Sequence, residues 1–185
     1  MQTVRASERY GRALAATAEL LSKLRLESMF VGGVARSAWL GGKVERGSLD
    51  VLVLMNEQQK NQVAMMASNR GFRLEREEIA QSEELDLVPL NFIDSEGDVR
   101  VFVLLASNAL YGRMFASRIP ALVESVESVE IQIAAAEDLA LLLALADDED
   151  SQRDREMLTL VPGFDRNGYN ERLKSIGLPS LVVAE

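Results

Sequence analysis

The stretch that decides the fold is SMFVGGVARSAWL at residues 28–40. Its apolar start predicts a short strand over 28–31, and its second half predicts a short helix over 34–40. Two glycines between a strand and a helix let the backbone approach a phosphate, and the helix N-terminus supplies N–H groups. A plain tight turn uses the same two residues. Gly32 and Gly33 are therefore candidate phosphate-binding residues, with an ordinary turn as the alternative.

A second apolar run, SLDVLVLM at residues 48–55, follows the helix after two further glycines. Its length and its valine and leucine content predict a strand that is buried on both faces. Asp50 is the one acidic residue in this run and lies seventeen positions after Gly33.

The flanking segments predict a mixed α/β chain. Residues 4–25 have the spacing of an amphipathic helix, and residues 57–70 predict another. The runs at 85–93 and 99–105 flank a loop of turn-forming residues and predict a β-hairpin. Pro89 indicates that the first hairpin strand lies at an edge or carries a bulge.

The C-terminal third is mainly helical. We predict a turn or short helix at Pro120, a strand at 129–133, and helices at 108–117, 135–145, 151–160 and 167–176. The leucines of 135–145 are expected in the core, with a dimer contact as a possible extension. The expected class is α/β (α+β) in a single domain over 1–185. Its core spans about 26–135, and its helical part spans about 135–178.

Composition limits the chemistry. The 185 residues include no cysteine and no histidine, which excludes disulfides, thiolate zinc sites, and nucleophile–histidine pairs. The formal charge of −9 opposes non-specific binding to nucleic acid, whose affinity comes mainly from phosphate contacts. Arg70, Arg73 and Arg76 form the nearest basic patch, but glutamates interleave with them. Nucleic acid is therefore expected as a partner only through a local patch.

Membrane association is not expected either. No apolar run approaches the roughly 18 residues that a membrane span requires. The N-terminal segment carries Arg5, Glu8, Arg9 and Arg12 and lacks the apolar region of a signal peptide. We therefore expect a cytoplasmic protein.

The segment RGSLDVLV at 46–53, after the glycine turn, resembles the nucleotidyltransferase superfamily, whose members carry Arg-x-Thr/Ser-x-Asp-x-Asp on a strand. The C-terminal half is similar to the abortive-infection (AbiEii-like) toxin–antitoxin group. That similarity rests on VEIQI at 129–133, AEDL at 136–139, Arg153-Asp154, and the segment from Phe164 to Leu178. The resemblance spans roughly residues 28–178.

The resemblance implies a mixed β-sheet flanked by helices, with a helical C-terminal third. It also implies transfer of a nucleotide from a triphosphate, with Mg²⁺ held by three carboxylates. Asp50 matches the first aspartate. The implied nucleotide-binding positions are Gly32, Gly33, Arg36, Ser37, Arg46 and Ser48. A surface role is the alternative for Arg36 and Ser37, and a structural role is the alternative for Asp50.

This chain departs from the family pattern where the chemistry would occur. Leu52 stands at the second aspartate, Phe102 at the third carboxylate, and Leu142 or Leu143 at the usual lysine. No metal site is therefore expected beyond Asp50 itself, with Asp86 as a remote substitute. No cofactor is expected, except Mg²⁺ if the protein is active.

Three hypotheses follow. The first is a catalytically impaired nucleotidyltransferase-fold protein that binds a nucleotide or a protein partner. The second is an active, Mg²⁺-dependent nucleotidyltransferase that modifies RNA, a protein or a small molecule. The third is a structural subunit of a homodimer or hetero-oligomer.

Overall fold

The computed structural model describes residues 1–74, 86–125, 128–146 and 148–179. The chain divides into two compact units, Met1–Ala134 and Ala135–Glu185. Arg76 and the glutamates at 75, 77 and 78 lie outside the described residues, as does the apolar tail beyond residue 179.

The first unit contains a mixed sheet, with nine strands in the described residues. Their order across the sheet is β3-β1-β8-β9-β2-β4-β7-β6-β5. The strands are β1 (Gln2–Ala6), β2 (Glu27–Phe30), β3 (Lys43–Val44), β4 (Leu49–Leu54), β5 (Phe72–Leu74), β6 (Leu87–Phe92), β7 (Val99–Leu105), β8 (Ile119–Glu124) and β9 (Val129–Ile133).

The first unit also carries helices, the first three of which contact this sheet. They are α1 (Glu8–Lys23), α2 (Gly32–Leu40), α3 (Glu57–Ala67), which continues as a 3₁₀ turn over Ser68–Arg70, and α4 (Ala109–Ser117). Asn56 begins α3 with a capping box, accepting from the N–H of Gln59 while the Gln59 side chain accepts in return. Asn108 begins α4 with a single capping bond, in which its side chain accepts from the N–H of Tyr111.

Strand β4, which carries Asp50, lies between β2 and β7 in the sheet. It pairs antiparallel with β2 and parallel with β7, and β7 pairs antiparallel with β6. Leu49, Val51 and Val53 are fully buried, as expected for a strand covered on that face. The parallel ladder between β2 and β9 contains one residue pair, Phe30–Ile133, in the described residues.

The second unit contains three helices in its described residues, α5 (Ala136–Ala144), α6 (Glu149–Leu158) and α7 (Arg166–Ser175). Asp138 is almost fully buried and forms an ion pair with Arg172, which joins α5 to α7. Tyr169 is fully buried, and its hydroxyl donates to the carbonyl of Ala140 at 3.3 Å. Leucine 145 is 54 % exposed, so the prediction that it belongs to the core is wrong.

Three other predictions of local structure need correction. Residues 2–6 form strand β1 rather than the start of a helix, and α1 begins only at Glu8. Pro120 lies in strand β8, not in a helix or turn; the described pairing of β8 with β1 begins one residue later. The hairpin is confirmed, but its first strand, β6, lies between β5 and β7 rather than at the edge. The β5 ladder ends at Leu90, so Pro89 need not donate a hydrogen bond to it.

Candidate functional site

The glycine turn is fixed by Asp50. The N–H of Val31 donates to the backbone carbonyl of Asp50 at 2.9 Å, so the turn begins beside β4. Gly32 has a φ of +54°, and a Cβ at this position would lie 2.7 Å from Asp50 Oδ2. Both the backbone conformation and the close approach of the carboxylate therefore require glycine at position 32.

Gly33 has a different environment. It is exposed, and a Cβ built on it would have no heavy atom within 4 Å. Its φ is not in the left-handed region, so the fold itself does not demand glycine here. The surface over Gly33, at the start of α2, is open to a ligand.

The Asp50 carboxylate is half-buried. Ser48 donates its hydroxyl to Asp50 Oδ1 at 3.0 Å, while Oδ2 lies against Gly32. Burial raises the pKa of Asp50, because the charged form loses hydration, and the Ser48 hydrogen bond offsets part of that rise. In the described residues, no arginine or lysine forms a hydrogen bond or ion pair with this carboxylate.

Tyr10 on α1 forms a hydrogen bond to the loop that precedes β4. The Tyr10 side chain is buried, and its hydroxyl donates to the carbonyl of Gly47 at 2.8 Å. Arg46 is exposed on this loop, next to Gly47. Tyr10 was not predicted as a site residue, because its contact spans 37 positions of the sequence and no local pattern indicates it.

The other two predicted contacts lie further along α2. Ser37 is buried and donates to the carbonyl of Gly42 at 2.9 Å, so it closes the C-terminal end of the helix. Arg36 is exposed. Of the predicted nucleotide-binding residues, Gly32 and Ser48 lie against the Asp50 carboxylate, and Gly33 follows Gly32 at the start of α2. Arg36, Ser37 and Arg46 do not contact that carboxylate.

The register of the sheet fixes what stands beside Asp50. Asp50 on β4 pairs with Phe102 on β7, and Leu52 pairs with Leu104. Directly paired residues share a face of the sheet, so Phe102 is the neighbour of Asp50 on the next strand. Leu52 is 2 % exposed, whereas Phe102 is half-buried.

The acidic residues of the β6–β7 hairpin either form ion pairs or lie far from Asp50 along the sheet. Asp94 forms a two-bond ion pair with Arg12, at 2.7 and 3.0 Å, and Asp98 pairs with Arg73 at 3.0 Å. Asp86 precedes β6 and is three positions from Pro89, the partner of Phe102, which corresponds to roughly 10 Å along a strand. Among residues 1–74, 86–125, 128–146 and 148–179, no three acidic side chains converge on a point that could hold a metal.

In the second unit, the acidic pair of the Glu137-Asp138 motif has structural partners. Glu137 Oε1 accepts from the N–H of Asp165 at 2.7 Å, and Asp138 pairs with Arg172. Leu142, at the position where the resemblance places a lysine, is half-buried on α5.

The sheet, the glycine turn and the helices define a nucleotidyltransferase-like fold, which confirms the expected fold class. The crystal structure of an antigenic nucleotidyltransferase-like protein from Paracoccidioides brasiliensis matches it with a TM-score of 0.58. The match covers 90 % of this chain and 86 % of that chain at 11 % sequence identity. At this identity the likeness shows the fold alone.

Two further comparisons bear on identity. No protein-family model matches the chain, and no curated protein matches it. A search of the helices in the described residues finds none with the length and apolar character needed to cross a membrane.

Proposed function

We propose that this protein is a nucleotide-binding module with a nucleotidyltransferase-like fold and an impaired catalytic site. The observation that carries the proposal is the pairing of Asp50 with Phe102, beside an open glycine turn. The turn can accept a phosphate at the start of α2, while the neighbouring strand offers a phenyl ring where the related chemistry uses a carboxylate.

Magnesium does not fit the residues around Asp50. Mg²⁺ takes oxygen ligands in near-octahedral geometry, and two such ions beside a triphosphate need several carboxylates. Leu52 and Phe102 contribute none, and Asp50 supplies a single carboxylate that already accepts from Ser48. We therefore derive no transfer step through a metal at this site.

A structural role accounts for Asp50 without catalysis. Its backbone carbonyl accepts from Val31, and its carboxylate lies against Gly32 and accepts from Ser48. These contacts order the turn that presents Gly33. The AbiEii-like subtype is part of the same proposal, and its support is the sequence of α5 and α7.

The test is calorimetric binding of the four ribonucleoside triphosphates, with EDTA and then with Mg²⁺. We expect binding by the parent protein without turnover. Gly33→Ala should lose about tenfold or more in affinity, because its methyl group occupies the open surface above the turn.

The matched control is Gly112→Ala. Gly112 is also an exposed helical glycine with no heavy atom near its Cβ position, but it lies on α4. This variant should bind as the parent does. Absence of binding in both buffers contradicts the proposal and favours a structural subunit, which a solution mass would then report. Mg²⁺-dependent release of pyrophosphate contradicts it in favour of an active enzyme.

A further inference from the structure

A cavity of about 330 Å³ is lined by the C-terminal part of α1, the loop after it, and strands β2 and β9. Its volume is at the small end of the roughly 300–1,000 Å³ found for small-molecule sites. Continuing the parallel register from the Phe30–Ile133 pair would pair Ser28 with Ile131, but no such pair forms in the described residues. Both residues line the cavity, which therefore occupies the opening between two diverging strands.

This β2–β9 cavity lies on the other face of the sheet from the Asp50 carboxylate. Met29 on β2 pairs with Leu52, and Leu52 shares a face with Asp50 because the two are two positions apart on β4. Side chains alternate along a strand, so Ser28 and Phe30 point to the opposite face. Both of them line the cavity, which is therefore separate from the candidate nucleotide site.

The cavity combines an apolar floor with polar groups of both charges. Leu26 and Phe30 are buried and form part of its apolar lining. Its polar lining consists of Ser22, Arg25, Ser28, Glu130 and Gln132. Within the described part of the chain, none of these five side chains forms a hydrogen bond or an ion pair, so Arg25 and Glu130 do not neutralise each other. A cation and an anion that line one cavity without pairing leave both charges to a ligand.

The backbone at Arg25 gives an independent reason to look for a ligand. Helix α1 ends in a Schellman motif, in which Arg25 N–H donates to the carbonyl of Ser22 at 2.9 Å and Leu26 N–H donates to that of Leu21 at 3.0 Å. Arg25 has a φ of +53°, and this position usually carries glycine because a Cβ is disfavoured there. A cation also complements a helix C-terminus, but Lys23 already supplies one. The helix end alone therefore does not account for an arginine at this position.

We infer that the β2–β9 cavity binds a small zwitterion, a free amino acid with an apolar side chain. Arg25 binds its carboxylate, because a guanidinium group presents paired N–H donors that match a carboxylate. Glu130 binds its ammonium group, and the apolar side chain lies against Leu26 and Phe30. The inference goes beyond the proposed function and does not depend on it, because the two sites are on opposite faces of the sheet.

The experiment is an NMR titration of the isotope-labelled protein with L-leucine, and with the two molecules that each lack one of its charged groups, isocaproate and isoamylamine. We expect leucine to shift the amide signals of Ser28 and Ile131. Isocaproate and isoamylamine should bind at least about tenfold more weakly, since each lacks one charge-assisted contact.

Two variants separate the charged contacts. Arg25→Gly should lose about tenfold in affinity for leucine and isocaproate, with isoamylamine unchanged. Glycine suits the left-handed backbone at this position, so the melting temperature should stay at or above that of the parent. Glu130→Gln should show the opposite pattern, with a loss of about tenfold for leucine and isoamylamine and none for isocaproate.

Arg113→Gln is the matched control. Arg113 is exposed on α4 and does not line the cavity, and its removal changes the net charge by the same amount. This variant should bind leucine as the parent does. The inference is overturned if leucine at about 10 mM shifts no cavity signal of the parent, or if Arg25→Gly binds leucine as tightly as the parent does. Neither result bears on nucleotide binding at the glycine turn, which the Gly33→Ala variant tests separately.

Discussion

Phe102 lies directly across from Asp50 because β4 and β7 run parallel with these two residues in register. The register therefore gives the position of Phe102, which the family resemblance aligns with a carboxylate, relative to Asp50. Leu52, two residues along β4, is buried on the same face as Asp50. At the residue scale, therefore, three side chains decide between metal chemistry and simple binding.

Restoring carboxylates at two of these positions tests the placement of the site. The double variant Leu52→Asp/Phe102→Asp should bind Mn²⁺ at least about tenfold more tightly than the parent, because three carboxylates would then share one sheet face. Manganese electron paramagnetic resonance measures the free ion. Because Leu52 is buried, the protein will lose stability, so Phe102→Asp alone is the milder comparison.

Binding by the double variant that is no tighter than that of the parent would show that the site is wrongly placed. Folding must be verified first by circular dichroism. The variant Leu104→Asp/Phe102→Asp is a useful reference, since it places both new carboxylates on β7 and only one beside Asp50.

Some of these residue contacts could be predicted from the sequence, and others could not. The motif Ser48-x-Asp50 fixes the register on β4, so the apolar character of position 52 was readable. The contact between Asp50 and Gly32 was not, because it depends on a left-handed backbone and a carboxylate rotamer.

At the scale of the elements, the hairpin of β6 and β7 is tied to α1. Arg12 on α1 donates two hydrogen bonds to Asp94, whose side chain is 5 % exposed, and Arg9 donates to the carbonyl of Glu96 at 3.0 Å. Asp94 also accepts from the N–H of Glu96, which closes the turn. The hairpin turn is therefore held to the helix by charge as well as by packing.

Arg12→Ala should lower the melting temperature more than Arg5→Ala does. Arg5 pairs with Glu124 at 3.9 Å and both side chains are exposed, so its removal should cost within about 0.5 kcal/mol. Arg12 lowers the pKa of Asp94 through its hydrogen bonds. A lowered folded-state pKa gives stability that is present above the unfolded value of about 3.9 and is lost as pH falls through the folded value.

The difference between parent and Arg12→Ala should therefore be full at neutral pH and shrink below about pH 4. Urea unfolding at pH 7, 5 and 3 measures it. A difference that grows toward acid, or a loss at Arg5 equal to that at Arg12, would contradict the assigned ion pair.

Most of the predicted elements are present, and two segments were assigned to the wrong element for different reasons. Within residues 2–6 the apolar side chains are Val4 and Ala6, whose spacing of two is that of a strand, and the helical spacing of α1 was extended over them. Pro120 suggests a turn by its ring, yet it lies in β8. It lies one residue before the β1 ladder begins, so its missing N–H is not needed there, and the first pair of that ladder, Gln2 with Ala121, is 119 positions apart in sequence.

At the scale of the whole molecule, the chain divides into two compact units, Met1–Ala134 and Ala135–Glu185. Asp138 and Arg172 form a charged contact in the interior of the second unit. Its acidic member is almost fully buried, so its partner is needed to offset the cost of a buried charge. No periodic pattern marks this pair, because Arg172 lies 34 positions after Asp138.

Arg172→Ala should destabilise the protein by about 3 kcal/mol, because it removes the ion-pair partner of a buried carboxylate. Arg166→Ala is the control, since Arg166 makes only a 3.5 Å hydrogen bond from an exposed side chain to the carbonyl of Thr159. Guanidinium unfolding followed by circular dichroism measures both. Equal stabilities for the two variants would contradict the role of the ion pair.

The single Phe30–Ile133 pair between β2 and β9 has a mechanical consequence. It joins a four-strand slab, β3-β1-β8-β9, to a five-strand slab that begins with β2. Beside this seam lies a cavity of about 330 Å³, lined by residues that include Ser28, Arg25 and Gln132. Amide exchange at the seam should be faster than within either slab, since few backbone bonds must break for the slabs to part. We therefore expect the sheet to bend more easily at this seam than within either slab.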